Sequence, residues 1–147
     1  MLNKLADNRE DDSYATKMRR QRFQFFLSLL DTVPRPLTIL DVGGTQGFWE
    51  RMGFVDEPGI QFTILNIEPQ PVRHTQFHSV VGDATNLATF ADASFDVVFS
   101  NSVIEHVGNL DSQRRMAEEI RRVGRRYFLQ TPNYYFPIEP HFLFPGY

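Results

Sequence analysis

The feature that most constrains this chain is an apolar run that stops on glycine. Leu37 to Val42 is short and nearly continuous in its apolar character, ends at Gly43-Gly44, and is followed from Gly47 by a helical pattern through Phe48, Trp49 and Met52. A run of this kind reads as a strand buried on both faces, the situation of a parallel sheet covered by helices. Where such a strand meets glycines and then a helix, the missing side chains let a ligand approach the backbone closely. In open parallel sheets that turn lies at the strand C-termini, where ligands bind. A tight strand-to-helix connection without a ligand explains the turn equally well when it is taken alone.

The rest of the chain repeats the alternation. A helix is expected from about Ser13 to Leu30, with Phe23, Phe26, Leu27 and Leu30 on one face, and Pro34 and Pro36 ending it. Further strands are expected at Gln61 to Ile67, Phe77 to Val81, Phe95 to Ser100 and Tyr127 to Gln130. Asp111 is the expected N-cap of a helix that carries Met116, Ile120 and Val123 on one side and stops at Gly124. The expected fold is therefore α/β, an open parallel sheet with helices on both faces. Two parts are drawn: a polar arm and amphipathic helix over residues 1–35, and a ligand-binding core over residues 36–147.

Composition removes several functions. Of 147 residues, 41% are hydrophobic and 14 are phenylalanine, enough for a real core. The formal net charge of -3 gives no general attraction to nucleic acid or to an anionic membrane. There is no cysteine, which excludes disulfides, thiolate metal sites and a cysteine nucleophile. No apolar run approaches the ~20 residues that span a bilayer, and Met1 to Glu10 does not read as a secretory signal, so a cytoplasmic protein is expected.

Three further positions carry chemistry. Asn66 and Glu68 lie at the end of the second strand, where an amide or carboxylate can hold the hydroxyls of a ribose. Asp83, after the third strand in Val81-Gly82-Asp83-Ala84, can accept from an exocyclic amine while the next backbone N–H donates to a ring nitrogen. The fourth strand runs through Phe95-Asp96-Val97-Val98-Phe99-Ser100 into the polar Asn101-Ser102 and then Ile104-Glu105-His106-Val107. Each has an ordinary alternative: a solvated loop acid for Glu68, an Asp turn for Asp83, a packed helix-start histidine for His106.

As an ordered set these segments resemble the class I S-adenosylmethionine-dependent methyltransferases of the small-molecule, type 11-like branch, over roughly residues 37–141. Leu40-Asp41-Val42-Gly43-Gly44-Thr45-Gln46-Gly47 is similar to that family's first motif, Val81-Gly82-Asp83-Ala84 to its adenine-contacting motif, and Phe95-Asp96-Val97-Val98 with Ile104-Glu105-His106-Val107 to its fourth-strand motif. Thr131-Pro132-Asn133 resembles the segment after the fifth strand. Thr45 stands where the family has the middle glycine, and Asn66 aligns with its ribose-binding acid, with Glu68 the nearest carboxylate and the preferred one.

The resemblance implies a Rossmann-like sheet of order 3-2-1-4-5, S-adenosylmethionine as cofactor, no metal, and methyl transfer to a small-molecule acceptor. It implies cofactor contacts from Asp41, Gly43, Gly44, Thr45, Gly47, Asn66, Glu68, Asp83, Ala84 and Asn101, with Asp41 orienting the loop and binding the amino group, directly or through water. His106 is the candidate general base, with Glu105 and His141 as alternatives. Basic clusters at Lys17, Arg19, Arg20, Arg22 and at Arg121, Arg122, Arg125, Arg126 read as solvated helix faces. The family's strands 6 and 7 cannot be drawn from Tyr134 to Tyr147, so a C-terminally truncated core is expected, with weak or no activity and self-association through an exposed fifth strand. Two rival functions stand beside this one, a non-catalytic or truncated cofactor-binding module and a nicotinamide-dependent oxidoreductase. The latter leaves Asp83 unexplained and lacks Gly-x-Gly-x-x-Gly.

Overall fold

A computed structural model of the chain describes residues 14–132. They belong to two compact units, one containing the first helix up to Thr32 together with Pro132, the other running from Val33 to Thr131. Helix α1, Tyr14–Leu30, buries Phe23, Phe26 and Leu30 and half-buries Leu27, the stripe that its spacing predicts. The Phe23 and Phe26 rings lie 5.8 Å apart.

The second unit is built on five parallel strands, β1 (Leu37–Val42), β2 (Ile60–Asn66), β3 (Phe77–Val81), β4 (Val97–Asn101) and β5 (Tyr127–Gln130). Their order is β3-β2-β1-β4-β5, with β3 and β5 at the edges among the described residues. This is the Rossmann-like order that the family resemblance implied. β1 is central: Asp41 stands in register with Ile64 of β2 and with Phe99 of β4.

Each face of the sheet has its own core. Helix α2 (Gln46–Arg51) presents Trp49, fully buried, to Phe62 and Phe99 at ring distances of 4.7 and 5.0 Å. The Phe62–Phe77 and Phe99–Phe128 stacks continue this layer across the sheet. On the opposite face, helix α3 (Leu110–Val123) buries Met116, Ile120 and Val123 against Leu40, Val42, Leu65 and Val98. Burying each of these large side chains contributes about 1.5–3 kcal/mol, which is what holds the helices to the sheet.

Several boundaries differ from expectation. α3 is capped by Asn109, whose Oδ1 accepts from the Ser112 N–H at 3.0 Å, and not by Asp111. Asn109 has the extended backbone that a cap needs, and Asp111 falls in the first turn, where its charge suits the helix dipole. β4 begins at Val97, two residues late, because Phe95 forms only an isolated bridge to Gly124. Gly124 does end α3, with an extended backbone; a Cβ there would meet Val98 Cγ2 at 2.5 Å. Glycine is needed at that position for space.

The chain thus brings the ends of β1, β2, β3 and β4 to one edge of the sheet, and the residues after them build the site.

Candidate cofactor site

A cleft of 630 Å³ opens at the C-terminal ends of these strands. Gly43 supplies its wall after β1, Asn66 and Ile67 after β2, Gly82 to Thr85 after β3, and Ser102, Val103 and His106 after β4. Gly43 has φ +77, and a Cβ on it would lie 2.5 Å from Val103 Cγ2. Both the backbone and the space above it therefore demand glycine. Its N–H donates to Leu65 O at 2.7 Å, which ties the turn to β2.

Asn66 is half-buried, and its Nδ2 donates to Gly44 O at 3.1 Å. The amide oxygen is the side chain's remaining hydrogen-bonding group, an acceptor. Glu68, the preferred carboxylate, is exposed two residues further on and does not line the cleft. Asp83 is exposed at the cleft wall. Its Oδ1 accepts from the Thr85 N–H and the Thr85 hydroxyl, both at 2.8 Å. Those two bonds, the backbone one first, hold its pKa below the ordinary aspartate range. Asp83 is thus both the residue of an Asp turn and part of the cleft wall. Ala84 is buried beside it and also lines the cleft.

The remaining expected contacts are placed elsewhere. Asp41 is 2% exposed, and its Oδ2 accepts from Trp49 Nε1 at 2.7 Å. A Cβ on Gly44 would stand 1.7 Å from that same oxygen, so the carboxylate lies directly beneath the turn and not on the cleft wall. Burial pushes its pKa up to about 7, with the Trp49 hydrogen bond pulling the other way. Gly44, Thr45 and Gly47 do not line the cleft, and Thr45 serves as the extended N-cap residue of α2. Asn101 lies outside the lining, its Oδ1 3.4 Å from Ser102 Oγ.

His106 sits in a 3-10 turn, Ile104–His106, and lines the cleft with a side chain 63% exposed. Its Nε2 is 3.9 Å from Glu105 Oε1. Glu105 does not line the cleft; its Oε2 accepts from the Thr131 hydroxyl at 3.1 Å, and its Oε1 is buried without a hydrogen-bond partner. His141 lies outside the described residues, as does Asn133.

Sequence reasoning missed the residues that complete the cleft from α3, Ser112 and Arg115, whose guanidinium donates to Ser112 Oγ at 2.9 Å. It also missed the clamp behind Asp83. Arg122 makes two bonds to Glu119, at 2.7 and 2.9 Å, and others to Leu87 O, Phe90 O and Asp92. Glu119 Oε2 accepts the Leu87 N–H at 2.6 Å. Hydrogen bonding to Glu119 first, and then to Asp92, pushes the Arg122 pKa up, and the Glu119 pKa is lowered in return. One fork thereby fastens the loop after Asp83 to α3. Arg125 pairs with Asp96 at 3.3 Å. Two members of the second basic cluster are thus committed to intramolecular ion pairs.

A parallel sheet that places a glycine turn, an amide and an exposed aspartate around one cleft at its strand C-termini has the layout of an open α/β ligand-binding domain. Residues 40–127 match the methyltransferase domain family, and the chain belongs to it. An uncharacterized methyltransferase of Mycolicibacterium gilvum is 34% identical over 102 residues, covering 64% of this chain and 37% of that protein. The uncharacterized protein Rv1509 of Mycobacterium tuberculosis is 40% identical over 55 residues, covering 37% of this chain and 19% of its own length. The chain therefore spans between a fifth and two fifths of these curated relatives. Among solved structures, the CurJ carbon methyltransferase superposes with a TM-score of 0.58 at 14% identity, covering 74% of this chain and 33% of that one. A SAM-dependent methyltransferase from Aquifex aeolicus gives 0.52 at 13% identity, covering 71% and 57%. At those identities the likeness is one of fold. No helix among the described residues is long and apolar enough to cross a membrane.

Proposed function

We propose that this domain binds S-adenosylmethionine in the cleft and transfers its methyl group to a small-molecule acceptor. The observation that carries the reading is the convergence of Gly43, Asn66 and Asp83-Ala84 on one cleft from three successive strand ends. Such a cradle fits the cofactor part by part. Asp83 accepts from the adenine amine and the Ala84 N–H donates to the ring; the Asn66 amide oxygen accepts from a ribose hydroxyl; Gly43 gives the remainder close access to the backbone. When bound, the cofactor supplies a methyl group on a sulfonium, already a good leaving group.

The chain's own residues then align the acceptor, exclude water and handle its proton. His106 is the candidate for the proton, because it lines the cleft and an imidazole nitrogen can accept one. A small-molecule acceptor is preferred to nucleic acid because the net charge is -3 and because Arg122 and Arg125 are spent on Glu119, Asp92 and Asp96. The decisive assay for the function is transfer of a labelled methyl group to a panel of small O-, N- and C-nucleophiles. Labelled product that depends on His106 supports the reading. Cofactor binding with no transfer to any acceptor favours the rival reading, a binding module.

A further inference from the structure

Ser102 holds a backbone conformation that serine seldom adopts. Its φ is +58, in the left-handed region. Asp56 and Ala93, the other non-glycine residues of positive φ among the described residues, sit in exposed loops. Ser102 is half-buried and lines the cleft together with Gly43, Val103 and His106. We propose that Ser102 is a further catalytic residue: its strained turn presents the hydroxyl to the methyl acceptor, which reacts through an oxygen or nitrogen bearing a hydrogen. The inference rests on the reading of the cleft as a methyl-transfer site.

The conformation is forced from both sides. The Ser102 N–H donates to Gln130 O at 2.8 Å, which carries the β4–β5 ladder one residue past Asn101. The next residue, Val103, already lies over the glycine turn, its Cγ2 in the space of a Gly43 side chain. Val103 O then accepts from the His106 N–H at 2.8 Å and closes the 3-10 turn that carries His106. The chain must therefore reverse at Ser102. Glycine makes such a turn without steric cost, whereas serine makes it against backbone strain.

What serine adds over glycine is one hydroxyl. Its oxygen lies 3.4 Å from Asn101 Oδ1, longer than the roughly 2.5–3.0 Å of a firm O–H···O bond. The group therefore keeps its capacity to donate and to accept. Cofactor contacts are supplied from the ends of β1, β2 and β3, and Ser102 stands at the end of β4, on the side of His106. Val103 and Val107 make the wall there apolar, and Ser112 and Arg115 are bonded to each other. An acceptor oxygen fits this pair of groups: its hydrogen meets His106, one lone pair faces the methyl group, and the other accepts from the Ser102 hydroxyl. An acceptor amine fits as well, with one N–H on His106 and the second on the Ser102 oxygen. A carbon nucleophile offers neither arrangement. In the transfer, a lone pair of the acceptor atom bonds to the methyl carbon, the carbon–sulfur bond breaks with its electron pair left on sulfur, and the acceptor's proton passes to His106.

The experiment uses the full chain and two variants. Ser102→Gly removes the hydroxyl and the strain; Ser102→Ala removes the hydroxyl alone. Ser102→Gly is expected to melt about 2–5 °C above Ser102→Ala, a readout that needs no ligand. S-adenosylhomocysteine should bind all three proteins within about twofold by calorimetry. Labelled methyl transfer to a panel of small phenols, alcohols, amines and active-methylene compounds should fall about tenfold in both variants, with product on the oxygen and nitrogen acceptors. Equal melting of the two variants overturns the inference, because no strain is then stored at the turn. Turnover within about twofold of the wild type in both variants overturns it too, as does product on the active-methylene compounds alone. S-adenosylhomocysteine affinity lost in Ser102→Ala, with methylthioadenosine affinity unchanged, assigns the hydroxyl to the cofactor's amino-acid end and also overturns it. Those results leave the methyl-transfer reading in place. A wild type that yields no product with any member of the panel, or binds no S-adenosylhomocysteine, overturns that reading and the inference with it.

Discussion

The buried Asp41 carboxyl group should make the fold pH-dependent. Asp41 goes from an unfolded pKa of 3.8 to about 7 in the native protein, so the folded state binds its proton more tightly than the unfolded state does. The contribution is fully present below the unfolded pKa and is lost as pH rises toward and through the folded one. Three units at 1.36 kcal/mol each amount to a loss of about 4 kcal/mol between pH ~4 and pH ~7, with a plateau above. That is a large share of the ~5–15 kcal/mol by which domains of this size are stable. Asp41→Asn removes the titration while keeping an oxygen to accept the Trp49 N–H, so it isolates the effect. Urea unfolding of both proteins at several pH values is the assay. The wild type should lose about 1.4 kcal/mol per pH unit relative to the variant within the window. A difference between the two that stays constant from pH ~4 to pH ~8 would refute the reasoning, because it would mean that burial does not hold the proton on Asp41.

Other perturbations follow from the same geometry. Gly43→Ala should cost about 1–3 kcal/mol, since φ is +77 and the new Cβ strikes Val103; adding Val103→Ala should relieve the contact but not the backbone strain, and paired thermal melts will separate the two terms. Gly43→Val should accordingly damage the fold along with the site. Arg122→Ala should release the loop at Leu87, Phe90 and Asp92 and weaken cofactor binding with little effect on α3, read by hydrogen exchange at Leu87; equal protection in the variant contradicts the clamp. Once an acceptor is known, His106→Ala should lower turnover ~10²-fold with cofactor affinity unchanged, and a loss below about threefold leaves His106 as a surface residue.

Much of the fold was legible from residue order. β1, β3 and β5 were read to the residue because each is a short apolar run between glycines, prolines or polar residues. The strand order came from the family resemblance, since nothing in hydrophobic periodicity says which strand neighbours which. The α3 cap was misassigned because Asn109 and Asp111 are both good capping residues and only the backbone decides between them. Asp41 carried a readable signal: a strand apolar on both faces leaves no exposed side for a carboxylate, and Trp49, eight residues on, offers the matching donor. Asn66 and Glu68 could not be separated by type, but one is the last residue of β2 and the other is beyond it, and only the former reaches the cleft. Arg122 looked like one member of a basic block because its partners Leu87, Phe90 and Asp92 are some thirty residues away in sequence.

The most direct test is isothermal titration of the wild-type chain and Asp83→Ala with S-adenosylhomocysteine and with its inosine counterpart, which lacks the exocyclic amine. The account predicts one-to-one binding to the wild type, a clear preference for the adenine form, and a loss of about 1.5–3 kcal/mol with that preference abolished in the variant. No binding by the folded wild type, or an adenine preference that survives unchanged without the Asp83 carboxylate, would contradict it.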